Sequence, residues 1–125
     1  MPNSFNELYS NMLNAVFLTR AQQQLEQGVD GLSVAEAYAD QGKPDFALAH
    51  LLLTEAPDEM KRDILARSYE RRAELTDEKA DSFTEQFNRP FPLVKLEAQK
   101  DRMSAQQVRQ GRRIRRGAKS LTMTP

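Results

Sequence analysis

The most distinctive chemistry in the chain lies near its end, in Gln106-Gln107-Val108-Arg109-Gln110-Gly111-Arg112-Arg113-Ile114-Arg115-Arg116-Gly117-Ala118-Lys119. Its arginines and lysine supply guanidiniums and an ammonium, the groups that meet phosphates and carboxylates. On a helix, Arg109, Arg112, Arg113 and Arg116 would share one face and could address successive phosphates. Gly111 and Gly117 each weaken such a helix by about 1 kcal/mol relative to alanine, which predicts that it forms only on a partner. Arg109, Arg112, Arg113, Arg115, Arg116 and Lys119 are therefore the candidate residues for an anionic partner. RNA or DNA is one such class, because arginine-rich segments can fold on nucleic acid. If all of them met single-stranded phosphates, log K would fall with log salt at a slope of roughly −4. No aromatic side chain lies in the segment to stack on bases, which counts against a dedicated single-strand binder. An acidic protein or an anionic membrane surface is another class, although Val108 and Ile114 are too little apolar surface for an amphipathic anchor. The bland alternative is a basic tail that stays solvated or docks on the protein's own acids.

Such acids are plentiful. The 125 residues carry 18 Lys+Arg against 18 Asp+Glu, yet this neutrality conceals a split. From Lys95 onward there are nine bases and only two acids, Glu97 and Asp101, a net +7, so residues 1–94 carry −7. An acidic body with a basic arm follows: residues 1–96 as a helical bundle domain and residues 97–125 as a basic, partly disordered C-terminal arm.

Other chemistries are thinly supported. With no cysteine there are no disulfides, thiolate metal sites or cysteine nucleophiles, and one histidine leaves little for zinc or triad chemistry. His50, set between Ala49 and Leu51, is expected to be a helix-face residue hydrogen-bonded to a neighbour, not a catalytic base. Asp58-Glu59 and Asp77-Glu78 are adjacent acids that do not face each other on a helix, so compensation of a helix dipole explains them better than metal binding. No metal, cofactor or catalytic residue is assigned. No apolar stretch reaches the roughly 18 residues that a membrane span needs, and the first residues lack a secretory pattern. A cytoplasmic, non-enzymatic protein is expected.

The elements that must position the arm read as helices with short breaks. Phe5 to Gln27 carries Phe5, Leu8, Met12, Ala15 and Thr19 at helical spacing, with Ser4 as N-cap and Gly28 as stop. Tyr9, Leu13, Val16, Phe17 and Leu18 widen its apolar surface, so it must be covered on two sides, which makes a homodimer one candidate assembly. Ser33-Val34-Ala35-Glu36 has the form of a capping box for a short helix ending at Gly42. Pro44 then opens a helix through Phe46-Ala47-Leu48-Ala49-His50-Leu51-Leu52-Leu53, the expected core. Asp58 and Glu59 start another helix, with Met60, Ile64, Leu65, Tyr69 and Ala73 on one face. Thr76 is expected to cap a fifth, bearing Ala80, Phe83 and Phe87, which Asn88-Arg89-Pro90-Phe91-Pro92 breaks. Between Leu96 and Ser120 only Met103, Val108 and Ile114 are large and apolar, too few to bury another full helix. The fold class expected is all-α, a compact bundle of four to five helices with a basic C-terminal arm.

Within this pattern, Ser33 to Pro57 resembles a single tetratricopeptide helical hairpin, a module of two antiparallel helices. Tyr38, Gly42 and Ala47 fall at the spacing of that family's tyrosine, turn glycine and small helix-contact residue. Gly31 stands where the family has tryptophan, Ala35 where it has glycine, and Pro57 closes the unit two positions early. The resemblance implies a protein-binding scaffold. The function expected is thus a non-catalytic helical protein-interaction module, an adaptor or scaffold with an arginine-rich electrostatic arm. The alternative is a small RNA- or DNA-binding protein using residues 109–119.

Overall fold

The computed structural model describes residues 4–114. Among them are six α-helices and one short 3-10 turn, with no strand. The all-α class holds, and three differences from the expected four or five helices have local causes.

The first is a break in the N-terminal segment. Helix α1 (Phe5–Tyr9) runs into a 3-10 turn at Ser10–Met12, and α2 (Ala15–Glu26) starts anew. Leu13 is extended, and Asn14 caps α2 by accepting from the Val16 amide at 3.0 Å. Ser4 does cap α1, in a reciprocal box with Glu7. The break lets the two apolar sets turn in different directions: Phe5 and Tyr9 enter the main core, while Phe17 packs edge-on against Phe46 at 5.2 Å. Leu8, Met12 and Leu13 also pack on that core, while Val16 stays 65% exposed.

Helix α3 (Gly31–Asp40) starts before the expected Ser33 cap. The Asp30 carboxylate takes that role, accepting from the Ser33 amide and, at 2.6 Å, from its hydroxyl. A charged oxygen is a strong N-cap acceptor, and it fills the role expected of Ser33. Gly42 then turns the chain into α4 (Pro44–Leu52), with φ +70 and the Lys43 amide donating back to the Tyr38 carbonyl at 3.0 Å. This is the Schellman geometry that glycine permits without a Cβ penalty. Space excludes a side chain too, since a Cβ here would lie 3.0 Å from the Arg72 backbone nitrogen. Gly42→Ala is expected to cost about 1–3 kcal/mol from left-handed strain and crowding, lowering the Tm by about 4–8 °C per kcal/mol. Thermal melts followed by circular dichroism measure it.

The second difference is α5 (Asp58–Phe87), one unbroken helix of 30 residues. No glycine or proline lies between Asp58 and Arg89. Thr76 therefore sits mid-helix, where nothing forces a stop. Asp58 and Glu59 occupy the first turn, and Asn88, in the left-handed conformation with φ 54, ends it. At about 1.5 Å per residue the helix is about 45 Å long. Its buried positions before Ala73 include Ile64, Leu65, Ser68 and Tyr69, set against the body of α1, α3 and α4.

The third difference corrects the expectation for residues after Leu96. Helix α6 (Pro92–Arg109) crosses the expected boundary between residues 96 and 97 and lies antiparallel along α5, with Ala98, Asp101, Ala105 and Val108 buried. Residues 97–109 thus belong to the folded unit. The count of large apolar residues missed this helix because its seam is built from alanine. Ala66, Ala73 and Ala80 recur every seven residues on α5, and Ala98 and Ala105 do so on α6, all buried. Small side chains let two backbones approach closely, so packing is gained without bulk.

Candidate interaction surface

The basic residues expected to reach outward are in part consumed by this hairpin. Asp63, Glu70 and Asp77 are spaced by seven along α5, and Lys95, Arg102 and Arg109 are spaced by seven along α6. Antiparallel, the two rows mesh. Arg109 reaches Asp63 at 2.8 Å and Glu70 at 2.9 Å, Arg102 pairs with Asp77, and Lys95 lies 2.8 Å from Asp81 and 3.7 Å from Asp77. On the opposite flank Arg72 forks onto Asp101, Nε and Nη2 each 2.8 Å from a carboxylate oxygen. The alanine seam is thereby bordered by ion pairs on both sides.

These contacts set the charge states. Arg109 is held above its ordinary value, first by its bond to Glu70 and then by that to Asp63. Arg109 in turn holds Asp63 below the ordinary 3.8, and Arg102 does the same for Asp77. A depressed folded value gives stability that is complete above the unfolded value and is lost as pH falls through the folded one. The hairpin is therefore expected to loosen only below about pH 4, and Asp63→Asn with Asp77→Asn to flatten that acid limb. Helicity followed down an acid titration checks it.

Arg109, one of the candidate residues for an anionic partner, is thus engaged within the hairpin by Asp63 and Glu70. In the chain by itself α6 stops at Arg109, so Arg112 and Arg113 do not extend its helical face. Gly111, with φ 69, turns the chain, and the Arg112 amide donates to the Gln107 carbonyl at 2.9 Å. The strand of chain beyond is held too: Tyr9 donates its hydroxyl to the Arg112 carbonyl at 2.6 Å, and Ile114 packs on the core. Burial pushes the Tyr9 hydroxyl up to about 12, so it remains a donor at any ordinary pH. The side chains of Arg112 and Arg113 are exposed, with no ion pair among the described residues. Arg115, Arg116 and Lys119 lie outside the described residues.

Two polar clusters hold bonds that join helices. The ring nitrogens of buried His50 lie 3.0 Å from the Phe46 carbonyl and 2.7 Å from Gln24 Oε1, joining α2 to α4. Nearby, Tyr38 stacks on Phe46 at 5.2 Å. A cleft of about 410 Å³ opens beside Asn6, Thr54, Asp58 and Lys61. Its lysine is spoken for: Lys61 Nζ donates to Asn6 Oδ1 at 3.2 Å and lies 5.6 Å from the Phe5 ring centroid. Burial lowers the Lys61 ammonium, with Asp58 and Glu55 opposing. Asp58 accepts from the Phe5 amide at 3.0 Å, tying α1 to the start of α5. The described residues contain no cluster of three or more metal-ligating side chains.

What stands open is the far end and outer side of the hairpin. Phe83, Phe87 and Phe91 form an aromatic cluster at its tip, with ring centroids 5.5 to 6.2 Å apart, and the Arg89 guanidinium lies 5.0 Å from the Phe91 centroid. Phe87 is still 54% exposed there, and along α6 Leu93, Leu96 and Met103 are 75%, 46% and 52% exposed. No family model, curated protein or solved structure matches this chain. Exposed apolar residues scattered singly are ordinary, but a row of them on one helix face marks a contact surface. Leu93 and Leu96 form such a row with Met103 on the outward face of α6. Their spacing of three within an alanine-seamed helix was the signal for an outward row. Among the described residues no helix is long and apolar enough to cross a membrane.

Proposed function

We propose that the protein is a non-catalytic helical interaction module that presents the α5–α6 hairpin to a protein partner. The observation that carries this is the exposed row Leu93, Leu96 and Met103 on a helix whose opposite face is already packed. A helix apolar on two sides belongs inside a larger assembly. The α3–α4 hairpin, with Tyr38 stacked near the Gly42 turn, supports a tetratricopeptide-like scaffold in the body. Leu93→Glu, at the most exposed position, is expected to leave helicity intact and to remove the partner retained on purification from native cells. Retention of the same partner by this variant would contradict the proposal.

The nucleic-acid reading keeps a narrower basis. Arg112 and Arg113, exposed and unpaired among the described residues, favour it together with Arg115, Arg116 and Lys119. Without Arg109, the salt slope on single strands would be roughly −3.5. Loss of salt-dependent retention on a nucleic-acid column when residues 115–125 are removed would support it, and equal elution would reject it.

A further inference from the structure

The outer face of α6 is unusual in its charges as well as in its apolar row. Of the six charged residues on the helix, Lys95, Arg102 and Arg109 pair with acids of α5, and Asp101 pairs with Arg72. Only Glu97 and Lys100 remain, joined to each other at 3.4 Å. At about 100° per residue, Leu93, Leu96, Lys100 and Met103 fall within an arc of about 80°, roughly opposite the Ala98–Ala105 seam, and Glu97 flanks that arc about 40° beyond Leu93. The outer face is thus a row of Leu93, Leu96 and Met103 carrying one acid and one base near its middle, with zero net charge.

That arrangement is self-complementary. We propose that the outer face of α6 pairs antiparallel with the same face of a second copy of this chain. This rests on the interaction-module reading above and names the partner. With a two-fold axis between Glu97 and Lys100, the partner's Met103 falls between Leu93 and Leu96. The partner's Lys100 then comes beside Glu97, and the same contacts repeat across the axis, as an isologous interface requires. The Glu97–Lys100 bond within each chain is exchanged for two between chains, so no charge is left unpaired. The resulting order of helices, α5–α6–α6–α5, places α6 centrally in a four-helix layer and accounts for its two apolar sides.

The test uses the purified full chain, alone, by size-exclusion chromatography with light scattering at about 10 and about 100 µM, a range that reaches weak interfaces. The expected mass rises toward twice the 14.3 kDa of the chain. Leu96→Glu is expected to hold it at the single-chain mass with unchanged helicity. Glu97→Lys and Lys100→Glu, each alone, place like charges across the axis and are expected to weaken pairing at least tenfold. Mixed in equal amounts they become complementary, and the doubled mass should return. A single-chain mass for the native protein at both concentrations would overturn the self-pairing. So would a mixture no more associated than its components. If the native chain is monomeric but Leu93→Glu still removes a co-purified partner, self-pairing fails while the interaction module stands.

Discussion

Ala73→Leu is expected to destabilise the protein by about 3 kcal/mol, the upper part of the range for overpacking a filled core. Ala73 is fully buried midway along the seam, with Ala66 and Ala80 one heptad away on either side. Three added carbons cannot be absorbed by a neighbouring cavity when the facing helix also presents Ala98 and Ala105. The helices must separate, which draws Arg109 and Arg102 away from Asp63, Glu70 and Asp77 together. The Tm should fall by about 12–24 °C, taking about 4–8 °C per kcal/mol for a domain of this size. Ala37→Leu, the same change at an exposed position of α3, controls for leucine itself and should shift stability by under about 0.5 kcal/mol. Denaturant titration of both variants gives the difference directly.

Asp101→Asn is the second large effect expected, about 2 kcal/mol. Asp101 is 9% exposed and accepts both arms of the Arg72 fork. The substitution keeps the shape but leaves a guanidinium facing a neutral amide whose nitrogen cannot accept. Breaking a buried pair by removing one member costs about 3–5 kcal/mol. Arg72 is 43% exposed on its side chain, so water recovers part of that. The 5.5 Å approach of Arg72 to the Tyr69 ring is expected to loosen as well. Glu74→Gln, which removes the solvent-exposed i,i+3 pair with Arg71 on α5, should cost about 0.5 kcal/mol or less. A fourfold or larger ratio between the two, measured in denaturant, separates a bridge that holds the hairpin from one that decorates it.

Much of the architecture was legible from residue types. The Phe46–Leu53 run marked the core helix, Gly42 and Pro44 marked the turn before it, and Asp58-Glu59 marked the start of α5. The break at Asn88–Pro92 was also visible, because Pro90 and Pro92 cannot continue the preceding helix. His50 sits hydrogen-bonded on its helix as its apolar surroundings implied. What escaped was α6. Counting large apolar residues undervalues a seam of alanines, and reading net charge by segment turns a paired row of bases into a loose arm. The information was present in the spacing: bases at 95, 102 and 109 answer acids at 63, 70 and 77, heptad against heptad in reverse order. Single-segment periodicity does not reveal such a match, since each row alone looks like a solvated helix face. The candidate surface was hidden for the same reason, as Leu93, Leu96 and Met103 acquire an outward direction only once the alanine seam defines the inward one.

Amide hydrogen exchange read residue by residue addresses the hairpin most directly. Protection from Ala98 to Val108 should match that of Ile64 to Ala73 and fall away only beyond Arg112. Exchange at unfolded-chain rates from residue 97 onward, with α5 still protected, would contradict a folded α6 and return its arginines to a free arm.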